Sequence, residues 1–148
     1  MKRILFIFLF TIFAHISAKS SDDLLGTWIS TDNSVKVQVY KMNNQFKAKV
    51  IWFNHLLSES KTPMNLSLDT NNPNPALRNR KILGMEILDG LQYNPKTQEW
   101  INGKIYDASC GRYWSSCAKL LDNGILKVRG FWKFEWIGKT ISFKKVSA

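Results

Sequence analysis

Histidine and cysteine are scarce, two of each among 148 residues. Beyond the apolar start of the chain only His55 remains, and it forms no ligand-like spacing with Cys110 and Cys117, so no metal site is expected. A serine or cysteine hydrolase would have to use His55 as its base. Yet the chain has no Gly-x-Ser-x-Gly and no nucleophile setting around either cysteine. A glycine-rich phosphate loop is missing too, and no cofactor is expected. Amphipathic helical periodicity is absent, as are internal repeats and low-complexity tracts. Acidic residues are the minority, 11 against 21 Lys plus Arg, for a formal charge of +10. That excess suits anionic envelope surfaces, acidic polysaccharide or a carboxylate ligand.

Lys2 and Arg3 precede an almost purely apolar stretch, Ile4 to Phe13, and Ile16-Ser17-Ala18 ends in the small residue that a signal peptidase needs. The apolar stretch falls short of the roughly 20 residues that span a bilayer. Residues 1–18 are therefore expected to be a signal peptide and residues 19–148 a single domain, exported to the periplasm or secreted. Export makes nucleic acid the least expected partner. The pattern does not fix an oligomeric state.

Beyond the leader the chain has period two. Val35, Val37 and Val39 alternate with Lys36, Gln38 and Tyr40; after the turn Met42-Asn43-Asn44, the residues Phe46, Ala48, Val50 and Trp52 take up the alternation. From Asn54 to Arg80 the pattern stops, in a polar stretch with Pro63, Pro73 and Pro75 that reads as one long loop. Strands are expected again over residues 82–88, 99–106, 113–120, 125–136 and 140–146. In the 125–136 run, Leu126, Val128, Trp132, Phe134 and Trp136 share a face, interrupted by Gly130. Seven or eight short antiparallel strands without a helix imply an all-β sandwich or closed barrel.

Asp69 and Asp107 lie in turn-like segments that a barrel could bring to one end, where a carboxylate pair would suit glycoside cleavage. Asx turns explain both more simply, and an enzyme is the less expected reading. Cys110 and Cys117 face an oxidising compartment, which favours a disulfide. If Asp107 to Arg112 is a hairpin turn, however, Cys117 falls opposite about Asn102 and far from Cys110, so both states stay open. Asn65-Leu66-Ser67 matches a glycosylation acceptor, a pattern short enough to arise by chance. The six tryptophans all lie beyond the leader, and Trp28, Trp52, Trp114, Trp132 and Trp136 are placed by alternation on the inward face, as packing or as ligand contacts.

Gly26-Thr27-Trp28, opening the first strand, resembles the Gly-x-Trp signature of lipocalins and related calycin barrels. Nearly the whole chain, Gly26 to Val146, resembles the exported bacterial family known as domain of unknown function 2147. The resemblance is carried by Asp69, Asn72-Pro73-Asn74-Pro75, Leu77-Arg78, Arg80 and Leu83-Gly84. It continues through Trp100, Gly103 to Asp107, Gly111, Tyr113, Leu126, Val128-Arg129-Gly130 and Gly138. Three positions depart from the family pattern: Lys81 stands for a proline, Lys133 for a small residue, and Phe143-Lys144-Lys145 for a closing Trp-x-Arg. The resemblance implies an antiparallel up-and-down lipocalin-like barrel and no established reaction. It also implies structural roles for Gly26 and Trp28, with Lys145 replacing the arginine that packs over that tryptophan.

The expectation is a barrel that binds a small apolar or amphipathic ligand such as a fatty acid, with a cavity wall of Phe46, Val50, Trp52, Met85, Trp114, Val128 and Trp132. Arg78 or Arg80 would meet a carboxylate at the mouth. The alternatives are an envelope hydrolase using Asp69 and Asp107, and a ligand-free barrel filled by its own tryptophans that binds a partner.

Overall fold

The computed structural model describes residues 19–147; the expected signal peptide lies outside them. Eight antiparallel strands form one closed barrel in sequence order. They are β1 (Gly26–Ser30), β2 (Val35–Met42), β3 (Gln45–Phe53), β4 (Glu86–Asn94), β5 (Glu99–Asp107), β6 (Arg112–Leu120), β7 (Ile125–Phe131) and β8 (Gly138–Lys145). Three short 3-10 turns complete it: Ser21–Leu24, His55–Leu57 and Pro75–Leu77. Turn chemistry sets the first hairpin, where Asn43 and Asn44 both take positive φ (50° and 61°), the conformation a two-residue turn between twisted strands requires.

Three expected boundaries move by several residues. The strand expected over 82–88 is β4, which runs on to Asn94 and begins only at Glu86, because Met85 N donates to Ile82 O across a turn at 3.1 Å. β4 also carries a bulge: Phe46 faces Leu91 and Ala48 faces Leu88, so three steps on β4 oppose two on β3. That breaks the period of two which the sequence pattern relies on. The strand expected to run to Trp136 stops at Phe131, since β8 pairs from Gly138 opposite Phe131 and leaves residues 132–137 as the connection.

The core fills the barrel from its N-terminal end. Trp28, Phe46, Leu91 and Trp100 are fully buried there, and Trp100 meets Phe46 edge to face at 6.4 Å. The turn Ser21–Leu24 plugs this end: Trp28 Nε1 donates to Leu24 O at 2.9 Å and Trp100 Nε1 to Ser21 O at 3.1 Å. Lys145, opposite Trp28 on β8, places Nζ 5.4 Å from the Trp28 ring centre and donates to Asp23 O. Gly103 lets Leu91 cross the interior, since a Cβ there would lie 2.7 Å from Leu91 Cδ2. Inside lies a void of about 30 Å³ with an apolar lining that includes Val37, Leu88, Ile105, Val128 and Phe143. That is about one water's share of liquid volume.

The buried tryptophans are thus Trp28 and Trp100, whereas Trp136 is 77% exposed. Trp100→Ala is expected to cost about 3–5 kcal/mol and Trp136→Ala less than about 0.5 kcal/mol in urea unfolding. Equal midpoints for the two variants would contradict this packing.

Candidate functional site

Between β3 and β4 the long loop folds back on itself and docks on the barrel wall. Asp69 N donates to Arg80 O and Ile82 N to Ser67 O, with an isolated bridge at Leu68 and Lys81. Tyr106 alternates with Ile105, which lines the interior void, so its ring points outward to meet the loop. Asp69 is fully buried beneath it. Its Oδ1 accepts from Tyr106 Oη at 2.7 Å, and its Oδ2 accepts from Asn72 Nδ2 at 2.7 Å and from Arg80 Nε at 2.9 Å. The Arg80 guanidinium also lies 5.3 Å from the Tyr106 ring centre. Arg78 Nε donates to Asn72 O at 2.8 Å. At the β5–β6 turn the chains touch so closely that a Cβ on Gly111 would lie 1.9 Å from Asn71 O, while Asn71 Nδ2 donates to Ser109 O.

This constellation anchors the loop. A carboxylate that already accepts three donors has little acceptor capacity left for a substrate proton. Asp107 sits at the same end of β5 but is exposed, and its Oδ1 accepts from Ser109 N and Oγ in an Asx turn. It shares no hydrogen bond with Asp69 among the described residues. Arg78 and Arg80 are likewise engaged in holding the loop, and neither lines the open groove beside Trp114 and Trp132.

Of the expected wall residues, Phe46, Val50, Met85 and Val128 are buried, and Val128 lines the small void. Trp52 faces Lys36, after a register shift between Lys36 and Val37, and Lys36 Nζ lies 5.4 Å from its ring centre. Partners across a ladder share a face, so Trp52 lies on the side of Lys36, opposite Val37. Cys110 and Cys117 are free thiols, one in the β5–β6 turn and one well inside β6. Burial first, then the Glu135 carboxylate, push the Cys117 thiol up to about 11, which makes it a poor nucleophile at neutral pH. Among the described residues no group of three or more His, Cys, Asp or Glu is arranged to hold a metal.

Trp114 and Trp132 come together, with ring centres 6.1 Å apart and edge to face. They border an open groove of about 610 Å³ lined also by Lys104, Tyr113, Ser115, Phe131 and Lys133. Register explains part of the grouping. Lys104, Ser115 and Phe131 are successive partners across β5, β6 and β7 on the outer face, whereas Trp114 pairs with Ile105 and stands on the inner face with Gly103, Ser116 and Gly130. The groove is therefore aromatic at its base and cationic at its edges, and among the described residues neither Lys104 nor Lys133 is held in an ion pair. Sequence reading picked out Trp114 and Trp132 but missed Lys104, Tyr113 and Lys133. The signal was there in the alternation of β5 and β6, on the side taken to be solvated. One interior group is polar and unpartnered: Ser116 Oγ, which finds no hydrogen bond among the described residues.

The family model described as "Uncharacterized protein conserved in bacteria (DUF2147)" matches residues 26–145. Among solved structures, the chain is similar to one described as "Protein HP1028 from the human pathogen Helicobacter pylori belongs to the lipocalin family". The TM-score is 0.70 at 26% identity, over 84% of this chain and 83% of that one. The comparison with curated proteins finds no match.

Tyr106 makes the loop anchor testable by pH. Burial, and next the hydrogen bond to Asp69, push its phenol up from 10.0 to about 12. A folded-state value above the unfolded one means that the group's contribution is full below pH 10 and disappears as pH climbs to about 12. Tyr106→Phe is expected to remove that part of the alkaline loss of stability. An unchanged alkaline unfolding profile in the variant would contradict the anchor.

Proposed function

The chain belongs to the bacterial family DUF2147 and folds as a lipocalin-like barrel, and from that premise we propose that it binds a small amphipathic anion in the groove between Trp114 and Trp132. The ligand has an apolar body and a carboxylate or similar head, as a fatty acid has. Its body covers the two indoles and Phe131, and its head meets Lys104 or Lys133. The observation that carries this reading is one of space. The interior offers about 30 Å³, too little for any such body, whereas the groove offers about 610 Å³, within the few hundred to a thousand Å³ of ordinary ligand sites. Affinity comes from apolar area removed from water, roughly 25 cal/mol per Å² before binding costs, and orientation comes from the lysines. Export belongs to the same reading: Lys2, Arg3 and the apolar residues behind them direct the chain out of the cytoplasm, and the bound molecule is one met in the envelope or beyond.

Dodecanoate is a suitable probe, followed by tryptophan fluorescence and calorimetry. Trp114→Ala is expected to weaken binding about tenfold, ~1.4 kcal/mol, and Lys104→Glu to weaken it without touching the aromatic base. Undiminished affinity in both variants would sink the groove as the site. For export, the protein recovered from the envelope fraction of its host is expected to begin at or within two residues of Lys19. An intact Met1 there would overturn that part.

A further inference from the structure

The connection between β7 and β8 has a surface of its own. Trp132, Phe134, Trp136 and Ile137 are exposed by 55, 56, 77 and 44%, the largest run of exposed apolar side chains at any turn among the described residues. The loop is tight and not frayed: Trp132 N donates to Ile137 O at 3.0 Å and Ile137 N to Phe134 O at 2.9 Å. Phe134 and Trp136 stack at 5.8 Å with ring planes 13° apart. Its one acid is turned back on the barrel, where Glu135 Oε1 accepts from Cys117 Sγ at 3.5 Å and Glu135 O accepts from Arg129 Nε. Arg129 also donates to Thr140 Oγ1 at 2.9 Å, so the guanidinium holds the loop from beneath. What faces outward is aromatic, flanked by Lys133 and Lys139.

We propose that this loop docks the protein on an anionic lipid surface, with Phe134 and Trp136 inserted at the headgroup level and Lys133 and Lys139 against the lipid phosphates. Trp is the side chain best suited to that boundary, with an apolar ring and a polar N–H. A rigid, convex tip enters a soft interface without an ordering cost, and its aromatics need no shaped partner. A second copy of the chain is the weaker occupant. Four side chains at these exposures present on the order of 500 Å², short of the roughly 800 Å² per partner of a stable protein interface. Charge points the same way, since residues 19–148, with 19 Lys plus Arg against 11 Asp plus Glu, are drawn to an anionic bilayer and repelled by their own copy. The aromatic part of the proposal stands apart from the ligand reading, because Phe134 and Trp136 do not line the groove; Lys133 serves both.

The test is cosedimentation of residues 19–148, which carry all eight strands, with vesicles of phosphatidylglycerol and phosphatidylethanolamine, and with phosphatidylcholine alone. The leader is omitted because its apolar residues would bind lipid by themselves. Binding is expected to the anionic vesicles and at least tenfold more weakly to phosphatidylcholine. Phe134→Ser with Trp136→Ser is expected to lower anionic binding at least tenfold, with thermal midpoint and dodecanoate affinity unchanged. Lys139→Glu with Lys133→Glu tests the charge without altering the aromatic stack and is expected to lower it similarly, while Lys139→Glu alone, outside the groove, is expected to lower it in part with dodecanoate affinity unchanged. The proposal is overturned if the wild-type protein stays in solution with anionic vesicles at low salt, or if both double variants sediment as the wild type does. A wild-type dimer that the aromatic variant converts to monomer in sedimentation velocity also overturns it, because the loop would then be a protein interface.

Discussion

Closure between β1 and β8 is the contact on which the rest depends. A sheet of eight strands leaves two edges unless its ends meet, and an open edge pairs with other chains. Here the seam is short, running over Trp28–Ser30 against Phe143–Lys145. It is reinforced from outside the ladder: Thr31 N donates to Ser142 O and Val146 N to Thr27 O, extending it at both ends. Trp28 sits beneath the seam, with Lys145 over its ring and the Ser21–Leu24 turn below. One tryptophan thus ties the first strand, the last strand and the plug at the N-terminal end.

Closing the barrel this way also fills it. Trp28, Phe46, Leu91 and Trp100 converge from four strands, and small residues elsewhere, Gly103 and Ala118, make room for them. Eight strands enclose a space that side chains just fill or that holds one small guest, and this chain takes the first course. A filled interior moves recognition to the open groove, where Trp114, Phe131 and Trp132 meet Lys104 and Lys133. The long loop does not lie over that groove as a lid. It is fixed to the β5–β6 end by Asp69, Asn72, Tyr106 and Arg80, a buried polar network in which every donor to the carboxylate is supplied by the protein.

Much of the fold was legible because half-buried antiparallel strands write a period of two into the chain. The hairpin of β2 and β3, its Asn43-Asn44 turn and the strands β5 and β6 could be read within a residue or two of where they lie. Failures came where backbone irregularity breaks that period. The bulge on β4 shifts Leu88 and Leu91 out of alternation, and the one between β2 and β3 turns Trp52 to the Lys36 side. At residues 132–137 the alternation of aromatic and charged residues continues, but no strand pairs with it, so a surface loop carried the pattern of a core strand. The site was legible only in part. Trp114 and Trp132 stood out as aromatic residues, but a groove that joins the inward Trp114 to outward Lys104, Ser115 and Phe131 and to the β7–β8 connection depends on register, which one sequence does not state. Asp69 read as a turn residue or a catalytic acid. Its role as the loop anchor depends on Tyr106, 37 residues away in sequence.

The central claim is that the barrel is closed to guests and that its groove is open to them. Backbone amide and methyl chemical-shift mapping during titration with dodecanoate tests this most directly. Saturable shifts are expected at Lys104, Ser115, Phe131 and Trp132, with the methyls of Val37, Leu88 and Val128 unmoved. Large shifts of those interior methyls, with the groove amides still, would mean that the barrel opens to admit the ligand, and would contradict the claim.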